Sequence, residues 1–280
     1  MSPTRPAGHV SQSGPTGRCP VALVTGGARR IGRTIVLDLA RHGWDLALHY
    51  RGSQADAEAT ATEARALGAQ VWLLQADLGD EAATVGLVPA ALAQAGRLDA
   101  VVNNASLFEH DEVADFGHAA MDRHWRANTA APILLARALH AAVSASGHPS
   151  GRGCVVNLLD QKLWNPNPDH LSYTLSKVAL EGATRMLAQA LAPWLRVCGV
   201  APGLTLLSGD MNDQEFQRAH RLTPLGRGST PEDVARAVRF LLESPAITGT
   251  TLLVDGGQHL QAQGRDVMFL VRDENPPCPT

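Results

Sequence analysis

The chain predicts an α/β fold: a single domain in which a doubly wound parallel sheet of about seven strands carries helices on both faces. Short apolar runs alternate along its 280 residues with alanine-rich helical segments. That order yields parallel strands joined by right-handed crossovers. The first run, Val21-Ala22-Leu23-Val24, is apolar throughout, as suits a strand buried on both faces. A hydrophobic content of 45% is enough for one large core.

The elements follow in order. Strand 21–24 runs through a glycine turn into a helix over 30–42, where Ile35, Leu37, Leu39 and Ala40 carry the apolar pattern. Strand 45–50 precedes helix 55–67, which opens on the capping pattern Ser53-x-x-Asp56. Strand 70–75, helix 81–95 and strand 100–103 come next, then a long helix over 119–144. Strand 154–158, helix 172–192, strand 196–200, helix 231–242 and strand 251–254 complete the alternation. The alanine excess reflects helix propensity and packing. Residues 161–171, 204–230 and 258–280 read as irregular, and stretches of such length are functional or disordered. Residues 1–18 mix Ser, Pro, Gly and Arg without an apolar run and read as a disordered lead, not a signal peptide. The domain then covers 19–257, with an extension at 258–280.

Composition narrows the function classes. A formal charge of −3 shows no polyanion-binding excess, so nucleic acid is not expected as a partner. No apolar run reaches ~18 residues, which argues against a membrane span. Cys19, Cys154, Cys198 and Cys278 form no close pairs and read as free thiols of a reducing cytoplasm. The eleven histidines show no metal-ligand spacing. His110, His118 and His124 suit a solvated loop and helix, so no metal is expected.

Two sites carry the chemistry. Thr25-Gly26-Gly27-Ala28-Arg29-Arg30-Ile31-Gly32 joins the first strand to the first helix. Strand, glycine turn and helix together form a dinucleotide site: glycines admit the pyrophosphate, and the helix N-terminus offers free N–H groups. Downstream, Tyr173 and Lys177 lie four residues apart on one helix face. An ammonium near a phenol favours the phenolate, and lowering the tyrosine pKa by roughly three units is worth about 4 kcal/mol. Such a tyrosine acts as a general acid near neutral pH. Asp160, thirteen residues earlier, completes the triplet. An ionised Asp160 opposes the drop caused by Lys177, so the group titrates as a coupled unit.

With these motifs in register, the chain resembles the short-chain dehydrogenase/reductase family from about Val21 to Gly257, and the resemblance implies a Rossmann-type sheet. Asp77-Leu78 falls where that family's aspartate holds the adenine edge. Asn103-Asn104-Ala105 closes the fourth strand, Asn128 falls on the asparagine that helps carry a proton-relay water, and Ala201-Pro202-Gly203 flanks the nicotinamide. The family usually has glycine at the place of Arg30 and serine at that of Asp160. Both departures, with Asn104-Ala105-Ser106-Leu107-Phe108, resemble the pteridine reductase branch. That likeness implies NADPH-dependent reduction of a pterin ring and a homotetramer. It makes Asp160, Tyr173 and Lys177 catalytic, with Lys177 also on the nicotinamide ribose. Phe108 becomes the aromatic stacked on the pterin, with Arg30 and Ser106 beside the substrate.

Cofactor choice follows from charge. The second strand ends in His49-Tyr50-Arg51-Gly52-Ser53, with no carboxylate to hold a ribose 2′-hydroxyl. Arg51, with Arg30 approaching from the glycine turn, suits a 2′-phosphate. Ser53 either joins that cradle or caps the next helix. Gly26, Ile31, Gly32, Tyr50, Leu78, Ala105 and Gly203 complete the expected NADPH site. Trp164 either lines the substrate pocket or anchors its loop. The alternative reading is an NADPH-dependent reductase of a carbonyl such as a 3-oxoacyl thioester, and a third is a non-catalytic NADP(H)-binding regulator. In the extension, the apolar block 267–271 is flanked by charges and must pack somewhere. It either covers its own subunit or crosses to a partner's substrate pocket.

Overall fold

The computed structural model describes residues 19–145, 153–207 and 211–273. The expected lead at 1–18 and Cys278 lie outside the described residues. Seven strands form one sheet: β1 (Val21–Val24), β2 (Asp45–Tyr50), β3 (Val71–Gln75), β4 (Ala100–Asn103), β5 (Gly153–Leu158), β6 (Leu195–Pro202) and β7 (Thr251–Val254). Their order is β3-β2-β1-β4-β5-β6-β7, and every pair is parallel. The order in which strands are added to the sheet reverses between β1 and β4, which opens a crevice at the carboxyl ends of those strands.

Strands β1 to β6 each feed two cores. Ala22 and Val24 of β1 join a cluster with helices α1 (Arg30–Arg41), α2 (Gln54–Ala66) and α8 (Pro231–Glu243). Val21 and Leu23 point the other way, toward α3 (Glu81–Ala95) and α5 (Ala131–Ala145). This alternation is the two-residue period of a strand covered on both faces. Helix α6 (Leu171–Ala190) lies on the second side, with Ala188 in that core.

Three regions differ from the sequence expectation. The long helix over 119–144 is instead α4 (His118–His124), a π-helical segment (Trp125–Ala130) and then α5. Pro132 accounts for the break, because it has no N–H to donate to the carbonyl of Asn128. The stretch 204–230 holds helix α7 (Asp213–Arg221), whose Asn212–Glu215 capping box closes both ways. The extension forms a 3₁₀ turn (Gln258–Leu260) and helix α9 (Val267–Asp273). Val267, Met268 and Val271 of α9 pack against Met211 and Ala219, with Phe216 and Leu204 at the edge. The apolar block therefore covers its own chain.

Candidate active site

Two connected clefts lie over the carboxyl ends of the strands. The larger, about 1250 Å³, spreads over the β1–α1 turn, Tyr50 to Ser53, Asp77, Leu78 and Asn104 to Leu107. Its floor has no room for side chains. A Cβ on Gly32 would stand 2.1 Å from the Gly26 carbonyl oxygen, and one on Gly26, at φ +62°, would stand 3.1 Å from Ala105 Cα. Helix α1 starts without a capping side chain and without an acidic residue in its first turn, so its free N–H groups remain available to an anion.

Neighbours hold the turn in place. Asn104 Nδ2 donates to the carbonyls of Thr25 (2.9 Å) and Gly26 (3.2 Å). His49 Nδ1 accepts from the Gly26 amide at 3.1 Å. Burial pushes the His49 pKa down, which suits this acceptor role. Sequence reasoning missed His49, because its position in β2 carries no local signal.

At the far end of this cleft, Arg51 is exposed and Ser53, although it occupies the N-cap position of α2, makes no capping hydrogen bond. Arg30 lies where the two clefts meet, and its guanidinium donates to the Leu207 carbonyl at 2.9 Å. Arg29 lines the larger cleft only, and its guanidinium lies 3.6 Å from Asp56. At φ +53°, Arg30 occupies the left-handed region where glycine is at ease.

The smaller cavity, about 280 Å³, is lined by Asp160, Tyr173, Lys177, Ser106, Phe108, Pro202 and Gly203 among others. Tyr173 Oη donates to Asp160 Oδ2 at 2.8 Å, and Asp160 Oδ1 accepts the Lys162 amide at 2.8 Å. Lys177 Nζ donates to the Leu158 carbonyl at 2.8 Å and lies 5.8 Å from the Tyr173 ring centroid. Phe108 meets Tyr173 edge-on at 4.6 Å and stacks on His170 at 4.2 Å. Trp164 is 40% exposed and lines neither cleft.

Helix α6 presents this chemistry because its first turn is fixed from outside. Buried Asp111 accepts the Ser172 amide (2.9 Å) and the Ser172 hydroxyl, an N-terminal cap from a loop 61 residues away. No sequence spacing announces such a cap.

Electrostatics corrects one expectation. Burial, reinforced by the Asp160 carboxylate that accepts its proton, raises the Tyr173 pKa well above its usual value instead of lowering it. Burial also lifts Asp160 above the ordinary carboxylate range. Lys177 is lowered to about 8 by burial, against the pull of Asp160.

The side chain of Asn128 is fully engaged. Its Oδ1 accepts from the Leu107 amide (2.7 Å) and Ser106 hydroxyl (3.3 Å), while Nδ2 donates to the Leu107 carbonyl (2.9 Å) and Ser176 Oγ (3.0 Å). Both lone pairs and both protons of the amide are thereby engaged. The side chain clamps the loop bearing Ser106 and has no capacity left for a relay water.

His124 is fully buried, not solvated, and both ring nitrogens are paired, with the Ala120 carbonyl and the Glu109 amide. His110, Glu112 and Asp169 bring their ligand atoms within 4.8 Å of one another. The Arg265 guanidinium lies against that trio, 3.0 Å from Asp169 and 3.6 Å from Glu112.

Comparison with known proteins agrees with this geometry. A family profile described as Enoyl-(Acyl carrier protein) reductase matches residues 26–259. The chain is similar to Pteridine reductase 1 of Leishmania tarentolae, 36% identical with 86% of this chain and 96% of that protein covered. It is equally similar to a putative ketoacyl reductase of granaticin polyketide synthesis from Streptomyces violaceoruber, at 36% identity and the same coverage. Among solved structures, FolM alternative dihydrofolate reductase 1 from Brucella suis, in complex with NADP, superposes with a TM-score of 0.81 at 44% identity. That match covers 88% of this chain and 96% of the Brucella chain. With the glycine turn, the Tyr173–Lys177 pair and the sheet order all in place, this chain belongs to the short-chain dehydrogenase/reductase family.

Proposed function

We propose that this protein reduces a pterin ring with NADPH, using Tyr173 and Asp160 to deliver the proton. One observation carries the reading: the Tyr173 hydroxyl donates to the Asp160 carboxylate at 2.8 Å, in the cavity that Phe108 also lines. A serine in that place would hold a substrate oxygen; a carboxyl can take up and pass on a proton. Reduction of a ring C=N bond needs a proton at nitrogen as well as a hydride at carbon. The NADP complexes of the Brucella alternative dihydrofolate reductases and the likeness to a pteridine reductase support the same substrate class.

Gly26, Ile31, Gly32, Asn104 and Ala105 would hold the pyrophosphate and nicotinamide half of the cofactor, with Pro202 and Gly203 beside the ring. Asp77, Leu78, Tyr50, Arg51 and Ser53 would hold the adenosine end, where Arg51 and Arg29 supply charge for a 2′-phosphate. When bound, the dihydronicotinamide supplies a hydride. Tyr173 hands its proton to the substrate nitrogen, and Asp160, which takes up a proton from solvent, returns it to the Tyr173 oxygen across their hydrogen bond. Lys177 positions the ribose and stabilises developing negative charge on Tyr173. Arg30 and Ser106 orient the pterin against Phe108. Asn128 keeps the Ser106 loop in register. The Asn128 carbonyl, deprived of its α-helical donor by Pro132, is the group of that residue through which a water chain would pass.

The reading includes a cytoplasmic homotetramer. It is supported by exposed apolar side chains on one stretch of α6 (Leu175, Val178, Met186) and by Phe240 on α8. Among the described residues no helix is long and apolar enough to cross a membrane, and Cys19, Cys154 and Cys198 are free thiols.

The likeness to the ketoacyl reductase and to 3-oxoacyl-[acyl-carrier-protein] reductases sustains the carbonyl alternative. NADPH oxidation with a dihydropterin, dihydrofolate and a 3-oxoacyl thioester in parallel separates the readings. Turnover should be fastest with a pterin-ring substrate. Turnover of the thioester alone would establish the carbonyl reductase, and turnover of none would leave a cofactor-binding regulator.

A further inference from the structure

Among the buried titratable groups that the mechanism leaves unused, one lines the substrate cavity. Lys162 lines the substrate cavity beside Asp160 and Tyr173, and it is 3% exposed. Its backbone amide caps the Asp160 carboxylate, while its ammonium turns toward the C-terminal extension. Nζ donates to the Asp169 carbonyl and lies 3.7 Å from Asp266 Oδ2. The extension holds that partner in place: the Asp266 amide donates to Asp169 Oδ2 at 2.6 Å, and Arg265 donates to Asp169 Oδ1 at 3.0 Å. A second strap joins Asn165 to Gln261 and Gln263.

We propose that Lys162, locked by the C-terminal extension, is a positioning residue that sets the charge on the Asp160–Tyr173 pair, with Asp266 as its counterweight. The proposal rests on the pterin reductase reading for its chemical purpose, since only a carboxyl that cycles its proton needs such adjustment. A buried ammonium favours the ionised carboxylate, and a nearby second carboxylate disfavours it. Both influences reach Asp160, Lys162 lowering and Asp266 raising its proton affinity, and Asp266 acts likewise on Tyr173. The groups facing the pair are Tyr173 itself and Lys177 from α6, Lys162 from its own turn, Asp266 from the extension, and Arg30 from the glycine turn. Of these only Lys162 and Asp266 form a linked pair of opposite charge outside the proton path.

The test uses two opposed substitutions in the full-length chain saturated with NADP⁺. Lys162→Met removes the cation at similar volume, and Asp266→Asn removes the anion. The chain has only two tyrosines, Tyr50 and Tyr173, so a ¹³Cζ-tyrosine label gives two resonances, assigned with Tyr50→Phe. The Tyr173 signal senses Asp160 through their hydrogen bond and needs no turnover. The acid-side inflection of that signal, which reports Asp160, should rise in Lys162→Met and fall in Asp266→Asn, each by about one pH unit, the scale of a partly screened interior charge. Lys162→Arg should restore the native midpoint. The pH profile of kcat/KM with dihydropterin should move in the same two directions, with NADPH affinity unchanged. Midpoints that stay put, or that move together, would overturn the proposal. Should Lys162→Met fail to fold, Asp266→Asn decides alone: an unmoved or raised midpoint refutes it. A wild-type enzyme inert toward dihydropterin would overturn the functional reading, while the NMR titration still decides this inference.

Discussion

Replacing Asp160 by serine isolates the feature that distinguishes this site from an ordinary carbonyl reductase. The carboxylate accepts the Tyr173 hydroxyl at 2.8 Å and the Lys162 amide at 2.8 Å, and Asp160→Ser shortens the side chain and removes its charge. A hydrogen bond to a charged group is worth about 1.5–3 kcal/mol. Losing the Tyr173 bond alone therefore slows proton delivery roughly 10- to 150-fold. Loss of a positioned proton relay extends this toward roughly 10²–10⁴-fold. The carboxylate also stops holding up the Tyr173 pKa, so the tyrosine of the variant titrates lower than in the wild type, although burial still raises it. NADPH binding should be unaffected, because Asp160 does not line the larger cleft. Steady-state NADPH oxidation with dihydropterin, beside a direct cofactor titration, measures both quantities. Undiminished dihydropterin turnover in Asp160→Ser would refute the role assigned to the carboxyl and favour the carbonyl reductase.

Three further outcomes follow from the geometry. Arg51→Ala should weaken NADPH about ten- to hundredfold while sparing NADH, whereas Arg30→Ala, freed from Leu207, should raise the KM for the pterin instead; equal losses of both cofactors in Arg51→Ala would move the 2′-phosphate elsewhere. Lys177 is lowered to about 8 by burial, so between pH 8 and 10.5 the unfolded chain binds the extra proton and stability rises with pH, while below pH 8 the penalty is complete, about 3 kcal/mol. Lys177→Met should therefore be inactive but stabilised against urea at pH 7, with the gain shrinking toward pH 10.5; a gain independent of pH would exclude this origin. Ending the chain after Gln263 removes Val267, Met268 and Val271, each buried and each worth about 1.5–3 kcal/mol. That truncation should lower Tm and raise the pterin KM at unchanged oligomer mass, and dissociation would make the extension a subunit interface.

The sheet was legible in the sequence because its strands are buried on both faces and must be apolar, and because parallel strands need helical crossovers between them. The glycine turn was legible for a similar reason: a Cβ at Gly32 has nowhere to go. The Asp160, Tyr173 and Lys177 spacing brought the three to one cavity, since a helix puts residues four apart on one face. Helix α7 went unread inside the stretch 204–230, because its strongly polar composition hides the apolar periodicity that marks a helix, although its Asn212–Glu215 capping box was present. Only the tertiary structure decided the electrostatics. Lys177 lies four residues from Tyr173, yet burial, which spacing does not show, joins the Asp160 carboxylate in raising the phenol instead of lowering it. Asp111, His49 and Lys162 escaped sequence reading because what each does depends on partners far along the chain. The extension likewise reads as a charged apolar block, and only packing against α7 and the straps to Asn165 and Asp169 bring Asp266 to the substrate cavity. Local spacing and burial are written in the sequence; the balance of charges in a buried site depends on contacts between remote segments, which the fold alone creates.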